Sequence, residues 1–117
     1  MVEDEESVLK LTRLMLSDLG YTVFTANTPS MAIQFAHSHT GQIHLLLTDV
    51  IMPEMSGKDL AHLLKNFRPD MKCLFMSGYA ENVIDGHDPR HRETHFLQKP
   101  FSQEELSKKI ISLLSKN

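Results

Sequence analysis

The chain has 117 residues and is 41% apolar and 23% charged, the size and make-up of a single domain, here residues 1–117, able to bury about two thirds of its unfolded surface without staples. One cysteine, Cys73, excludes an internal disulfide framework and suits a reducing cytoplasm. No apolar run approaches the ~18 residues of a membrane span, and the acidic N-terminus is unlike a signal peptide. Twelve Lys+Arg against fifteen Asp+Glu give a net charge of −3, which argues against nucleic-acid binding as the main task.

Met1-Val2 is a first, very short apolar run, followed at once by Glu3, Asp4, Glu5 and Glu6. Val8, Leu11, Met15 and Leu19 recur at helical spacing, and Gly20 can stop that helix. Thr22–Thr25 is β-branched and aromatic and reads as a strand. Thr28-Pro29 starts a second helix, a hydroxyl cap followed by Pro at the first helical position, with Ala32, Ile33 and Ala36 inward. Leu45-Leu46-Leu47 is a strand apolar on both faces, ending at Thr48-Asp49. A loop from Val50 to Met55 contains Pro53. Ser56 then caps a helix that turns Leu60, Leu63, Leu64 and Phe67 inward. Cys73–Met76 is another buried strand, ending at Ser77-Gly78. The polar, His-rich stretch 81–94 is the least regular part, with a short helix at its start. Phe96-Leu97 makes a last short strand before Gln98-Lys99-Pro100. Ser102-Gln103-Glu104-Glu105 is a capping box, opening a final helix with Leu106, Ile110, Leu113 and Leu114 inward.

Strands apolar on both faces, alternating with helices, predict an α/β fold in which a parallel sheet is covered on two sides. Such sheets bind ligands beyond the carboxyl ends of their strands. The residues there are Glu3-Asp4, Asp49, Ser77 and Lys99. Carboxylates that meet at one sheet edge repel, by about 4 kcal/mol per pair at 4 Å and an effective dielectric of ~20. A divalent cation relieves this, and an all-oxygen set suits Mg²⁺ or Mn²⁺ better than Zn²⁺. A carboxylate so placed can attack a phosphoryl group, with a metal and a Lys neutralising its oxygens. Taken singly these residues are ordinary: an Asp after a strand is usually a turn former or cap, Ser77-Gly78 a turn and Lys99 a solvated charge. Their joint placement after successive strands carries the argument.

Several stretches together resemble the receiver domain of two-component response regulators. They are Val2-Glu3-Asp4-Glu5, Leu46–Pro53, Met55-Ser56-Gly57, Phe75–Tyr79 and Gln98-Lys99-Pro100-Phe101, and they cover nearly the whole chain. Phe75–Tyr79 and Phe96–Phe101 are most similar to receivers fused to hybrid sensor histidine kinases, where the parent chain can be membrane-anchored. The resemblance implies a flavodoxin-like, doubly wound sheet of five strands in the order 2-1-3-4-5. It implies that Asp49 accepts a phosphoryl group from a histidine of a kinase or phosphotransfer domain. Asp4 and Asp49 bind Mg²⁺ directly, Glu3 mainly through water, and the Ile51 carbonyl is a further ligand. Ser77 hydrogen-bonds the phosphoryl oxygens and Lys99 pairs with them, and with Asp49 before transfer. Phe96 is the aromatic switch that turns inward when Ser77 moves, and Lys99–Pro100 is a cis bond. A downstream protein docks on the face near the fourth helix, fifth strand and fifth helix. Many relatives pair through that face, and the residues leave oligomeric state open.

This chain departs from the family pattern in three places. Only Met1-Val2 precede the acidic pair, so the first strand is truncated and the expectation is a domain cut from a longer chain. Ile51 and Tyr79, two residues after Asp49 and Ser77, tune acyl-phosphate hydrolysis in the family, and neither offers a group to orient water, so a slowly decaying phosphoryl group is expected. The fourth-helix region, 84–94, is broken by Gly86 and Asp88-Pro89. His87, His91 and His95 lie four apart, but Pro89 argues against a continuous metal-binding helix face. No Gly-rich phosphate loop is present, so nucleotide binding is not expected. The expected activity is self-phosphorylation and autodephosphorylation without a turnover substrate. The alternatives are a stand-alone regulator, a phosphorylation-independent docking domain, or an aspartyl-nucleophile phosphohydrolase. Ile51, where such hydrolases carry a second acid, counts against the last.

Overall fold

The computed structural model describes residues 1–78 and 96–115. Among these, three strands form a parallel sheet in the order β1 (Leu45–Asp49), β2 (Lys72–Ser77), β3 (Phe96–Gln98). Asp49 pairs with Met76 and Ser77 with Gln98, which aligns the carboxyl ends of all three strands. Val2 extends the sheet by single parallel bridges to Thr48 and to Ala26. The spatial order is therefore Ala26, Val2, β1, β2, β3, which is the expected order with its first two members shrunk to bridges.

Four helices cover the sheet: α1 (Glu6–Asp18), α2 (Pro29–Ser38), α3 (Gly57–Lys65) and α4 (Gln103–Leu114). Successive residues of a strand point to opposite faces. Leu46 thus joins α2 and α3 through Ala32, Ala36, Leu60 and Leu64, whereas Leu47 joins α1 and α4 through Leu16, Leu106 and Ile110. This is the two-sided burial that the continuous apolar runs predict. Three helix starts follow their cap residues: Thr28 accepts from the Met31 amide, Ser56 from Asp59, and Ser102 and Glu105 exchange both bonds of a capping box. Gly20, at φ +95°, ends α1 in the left-handed region, which a residue with a Cβ enters at a cost. The Lys99–Pro100 bond is cis, as expected. No helix among the described residues is long and apolar enough to cross a membrane.

Several sequence-based expectations need correction. Residues 22–25 form no strand, and the ladder there is a bridge at Ala26. Strand propensity needs a partner, and Met1-Val2 supply a single rung. In α1 the buried row is Thr12 and Leu16, while Leu11 is 57% exposed and Leu19 also faces outward. The rows one turn apart that face the sheet run through Thr12, a residue that an apolar count passes over. Leu63 and Leu114 face outward as well, so α3 buries Leu60, Ala61 and Leu64, and α4 buries Leu106, Ile110 and Leu113. Of the methionines, Met31 is exposed and Met52 belongs to the core. Cys73 is half-buried, and burial raises its thiol pKa. Tyr79, the 81–94 stretch and the three histidines at 87, 91 and 95 lie outside the described residues.

Candidate functional site

Each expected side chain comes from the carboxyl end of a sheet member. Glu3 and Asp4 follow Val2, whose carbonyl accepts from the Asp49 amide at 3.2 Å. Asp49 ends β1 and Ser77 ends β2, while Lys99 follows β3 with its amide donating to the Ser77 carbonyl at 2.8 Å. The Val50 amide bonds the Met76 carbonyl at 2.9 Å, holding the loop after β1 beside the end of β2. Backbone ladders therefore bring together groups that lie 96 residues apart in the chain.

Glu3, Asp4 and Asp49 each present a carboxylate oxygen, all within 4.8 Å of one another. Glu3 is 1% and Asp49 5% exposed, whereas Asp4 faces solvent. The Lys99 ammonium bridges the two buried acids, 3.0 Å from Asp49 Oδ1 and 3.4 Å from Glu3 Oε1. Glu3 Oε2 also accepts from the Glu5 amide at 3.1 Å. Burial raises the Glu3 pKa from 4.5 to about 7; the Glu5 amide and Lys99 oppose the rise, and the charge of Asp49 and a hydrogen bond with Asp4 add to it. Burial alone would lower Lys99, but the hydrogen bond and charge of Asp49, then Glu3, hold its pKa above the ordinary value. One ammonium thus stands among three acids, one of them reluctant to ionise. A hard divalent cation suits this all-oxygen set.

Ser77 Oγ is fully buried and has no hydrogen-bond partner among the described residues. A buried hydroxyl left unpaired is unusual enough to need an account. Phe96 is buried, its ring 5.4 Å from that of Phe75, with the Lys58 ammonium 5.3 Å from its centroid. Ile51 lies on the loop after β1 with its side chain 56% exposed. The sequence reading did not foresee the work of Gly57. Its amide donates to Val50 at 2.7 Å, and a Cβ on it would overlap the Asp49 carbonyl oxygen. The signal was the glycine just after the Ser56 cap, where a good helix former would otherwise serve.

The profile of the response regulator receiver domain family matches residues 1–111. Sensor kinase CckA of Brucella abortus (strain 2308) is 35% identical over 116 residues, which are 99% of this chain and 12% of that protein. Response regulator receiver protein CpdR of the same strain is 29% identical over 114 residues, 97% of this chain and 93% of that one. Among solved structures, the receiver domain from hybrid histidine kinase CckA has a TM-score of 0.78 at 27% identity, covering 97% of this chain and 95% of that chain. A receiver domain protein from Clostridium thermocellum, at 23% identity, shares the fold with a TM-score of 0.83 over 97% of this chain and 90% of its own. The site at the strand ends and the match along almost the whole chain agree: this chain belongs to the response regulator receiver domain family of two-component systems.

Proposed function

We propose that Asp49 is the phosphoacceptor, taking a phosphoryl group from a histidine on a kinase or phosphotransfer partner. The observation that carries this reading is the Lys99 ammonium held 3.0 Å from Asp49 within a cluster of three carboxylates. In the transfer an Asp49 oxygen bonds to phosphorus as the histidine nitrogen leaves. Asp4, Asp49 and the Ile51 carbonyl would hold Mg²⁺ or Mn²⁺, and Glu3 would contribute its charge beside them. Such an ion, when bound, offsets negative charge on the phosphoryl oxygens. Lys99 then pairs with the phosphoryl group, and the Ser77 hydroxyl, which has no partner among the described residues, donates to one of its oxygens. Movement of Ser77 and Lys99 toward a group of roughly two negative charges biases the packing of Phe96, the expected switch.

The experiment is incubation with acetyl phosphate and Mg²⁺, read by intact mass. One added phosphoryl group that Asp49→Asn abolishes supports the reading. A folded protein that takes up none favours the docking alternative. Ile51 and Tyr79, neither able to orient water, imply a long-lived acyl phosphate, with Ile51→Asn speeding its loss. Decay of the wild type within seconds would contradict this.

Receiver domains work with histidine kinases or phosphotransfer proteins. The 35% identity to a sensor kinase supports a hybrid-kinase receiver, part of a longer protein whose activity lies outside this chain. The 93% coverage of CpdR favours a second reading, a stand-alone regulator. Docking of a downstream protein on the face beside β3 and α4, and pairing of two copies there, belong to the same proposal.

A further inference from the structure

The loop from β1 to α3 carries the Ile51 carbonyl just beyond Asp49, and its two ends are tied down. The Val50 amide donates to Met76 at 2.9 Å and the Gly57 amide to Val50 at 2.7 Å. Met52 is buried, its sulfur 3.7 Å from the Thr48 hydroxyl. The stretch between these ties is different. The Met55 amide bonds the Pro53 carbonyl at 3.0 Å, which closes a tight turn around Glu54 at φ +77°. A turn of this kind, with its central φ at about +75°, is rare and strained. Among the described residues Glu54 is the only non-glycine at positive φ, a place that glycine fills at less cost.

What Glu54 gains there is a contact 24 residues away in the chain. Its Oε1 accepts from the Ser30 hydroxyl at 2.7 Å and from the Ser30 amide at 3.3 Å. Ser30 stands in the first turn of α2, and a helix leaves its first amides without partners of its own. Pro29 has no amide proton to place, the Met31 amide goes to the Thr28 hydroxyl and the Ala32 amide to the Thr28 carbonyl. The Ser30 amide is left over, and Glu54 takes it from outside the helix, where the helix dipole also favours a carboxylate. One side chain therefore completes α2 and joins it to the loop. Glu54 and Ser30 are both exposed, so these bonds, rather than burial of the side chain, offset the strain of the turn.

We propose that Glu54 is a positioning residue for the metal, tethering the loop to α2 and so limiting the conformations open to the Ile51 carbonyl. A ligand already ordered costs less to fix on a cation. The exposed Ile51 side chain does little to fix that peptide by itself. The proposal rests on the reading of Asp4, Asp49 and the Ile51 carbonyl as the metal's ligands. Linkage makes the effect reciprocal: an ion bound beside Asp49 steadies the contact at Ser30.

The test is Mg²⁺ titration of the metal-free protein, followed at the backbone amides by NMR. Glu54→Ala is expected to weaken Mg²⁺ binding roughly fivefold, through loss of the bonds to a charged acceptor. Glu54→Gln keeps the accepting oxygen and should stay within about twofold of the wild type, which separates the tether from a distant effect of the Glu54 charge. Ser30→Ala should weaken binding in the same direction but by less, since its amide remains. Combined with Glu54→Ala it should add little, because both remove one contact. Saturating Mg²⁺ should slow hydrogen exchange at the Ser30 amide of the wild type and not of Glu54→Ala. The proposal is overturned by unchanged Mg²⁺ affinity in Glu54→Ala, by an equal loss in Glu54→Gln, or by losses that multiply in the double variant. A wild type without saturable shifts at Asp49 would overturn the metal site and the tether together, whereas a wild type that binds as tightly as Glu54→Ala would overturn the tether alone.

Discussion

Glu3 carries an unfavourable charge inside the site. Its folded-state pKa of about 7 lies above the ordinary 4.5, so between these values the folded chain keeps a proton that the unfolded chain has released. Stability then falls as pH rises from about 4.5 to about 7 and stays lowered above that. The Met1 amine, pulled from 8.0 to about 6, acts with the opposite sign, adding stability as pH rises through that range. The Glu3 effect is therefore cleanest between about 4.5 and 6. In EDTA, Glu3→Gln should flatten the decline of Tm across that window. An unchanged slope in the variant would show that the proton sits elsewhere.

At the scale of elements, two substitutions separate the site from the scaffold. Gly57→Ala drives a Cβ into the Asp49 carbonyl, so the start of α3 or the end of β1 has to shift. Its expected cost is about 1–3 kcal/mol in urea unfolding, together with slower phosphoryl uptake. Ser102→Ala removes one side of the α4 capping box and should cost about 1 kcal/mol with uptake unaltered. Equal uptake in the two variants would contradict the positioning role of Gly57. The same elements show what the sequence makes legible. Helices α2, α3 and α4 begin where Thr28, Ser56 and Ser102 announce them, because a cap is a local bond between near neighbours. The α1 start has no side-chain cap, and its buried row passes through Thr12, so the apolar spacing of Leu11 and Leu19 misleads. Residues 22–25 have strand chemistry but lack the long-range ladder that propensity cannot supply.

For the whole molecule, the site is legible because the architecture is. Once the apolar runs define a parallel sheet, the residue after each run is carried to one edge, whatever its distance in sequence. Glu3, Asp49 and Lys99 meet there as that rule requires. The raised pKa of Glu3 and the clasp of Gly57 depend on packing between distant segments, which no local pattern carries. The central claim is that this assembly directs phosphoryl chemistry to one side chain. Borohydride converts an aspartyl phosphate to homoserine, so treatment of the phosphorylated protein followed by peptide sequencing names the acceptor directly. Homoserine at position 49 and at no other acid is the predicted result. Homoserine at Glu3, Asp4 or another carboxylate, with position 49 intact, would contradict the account.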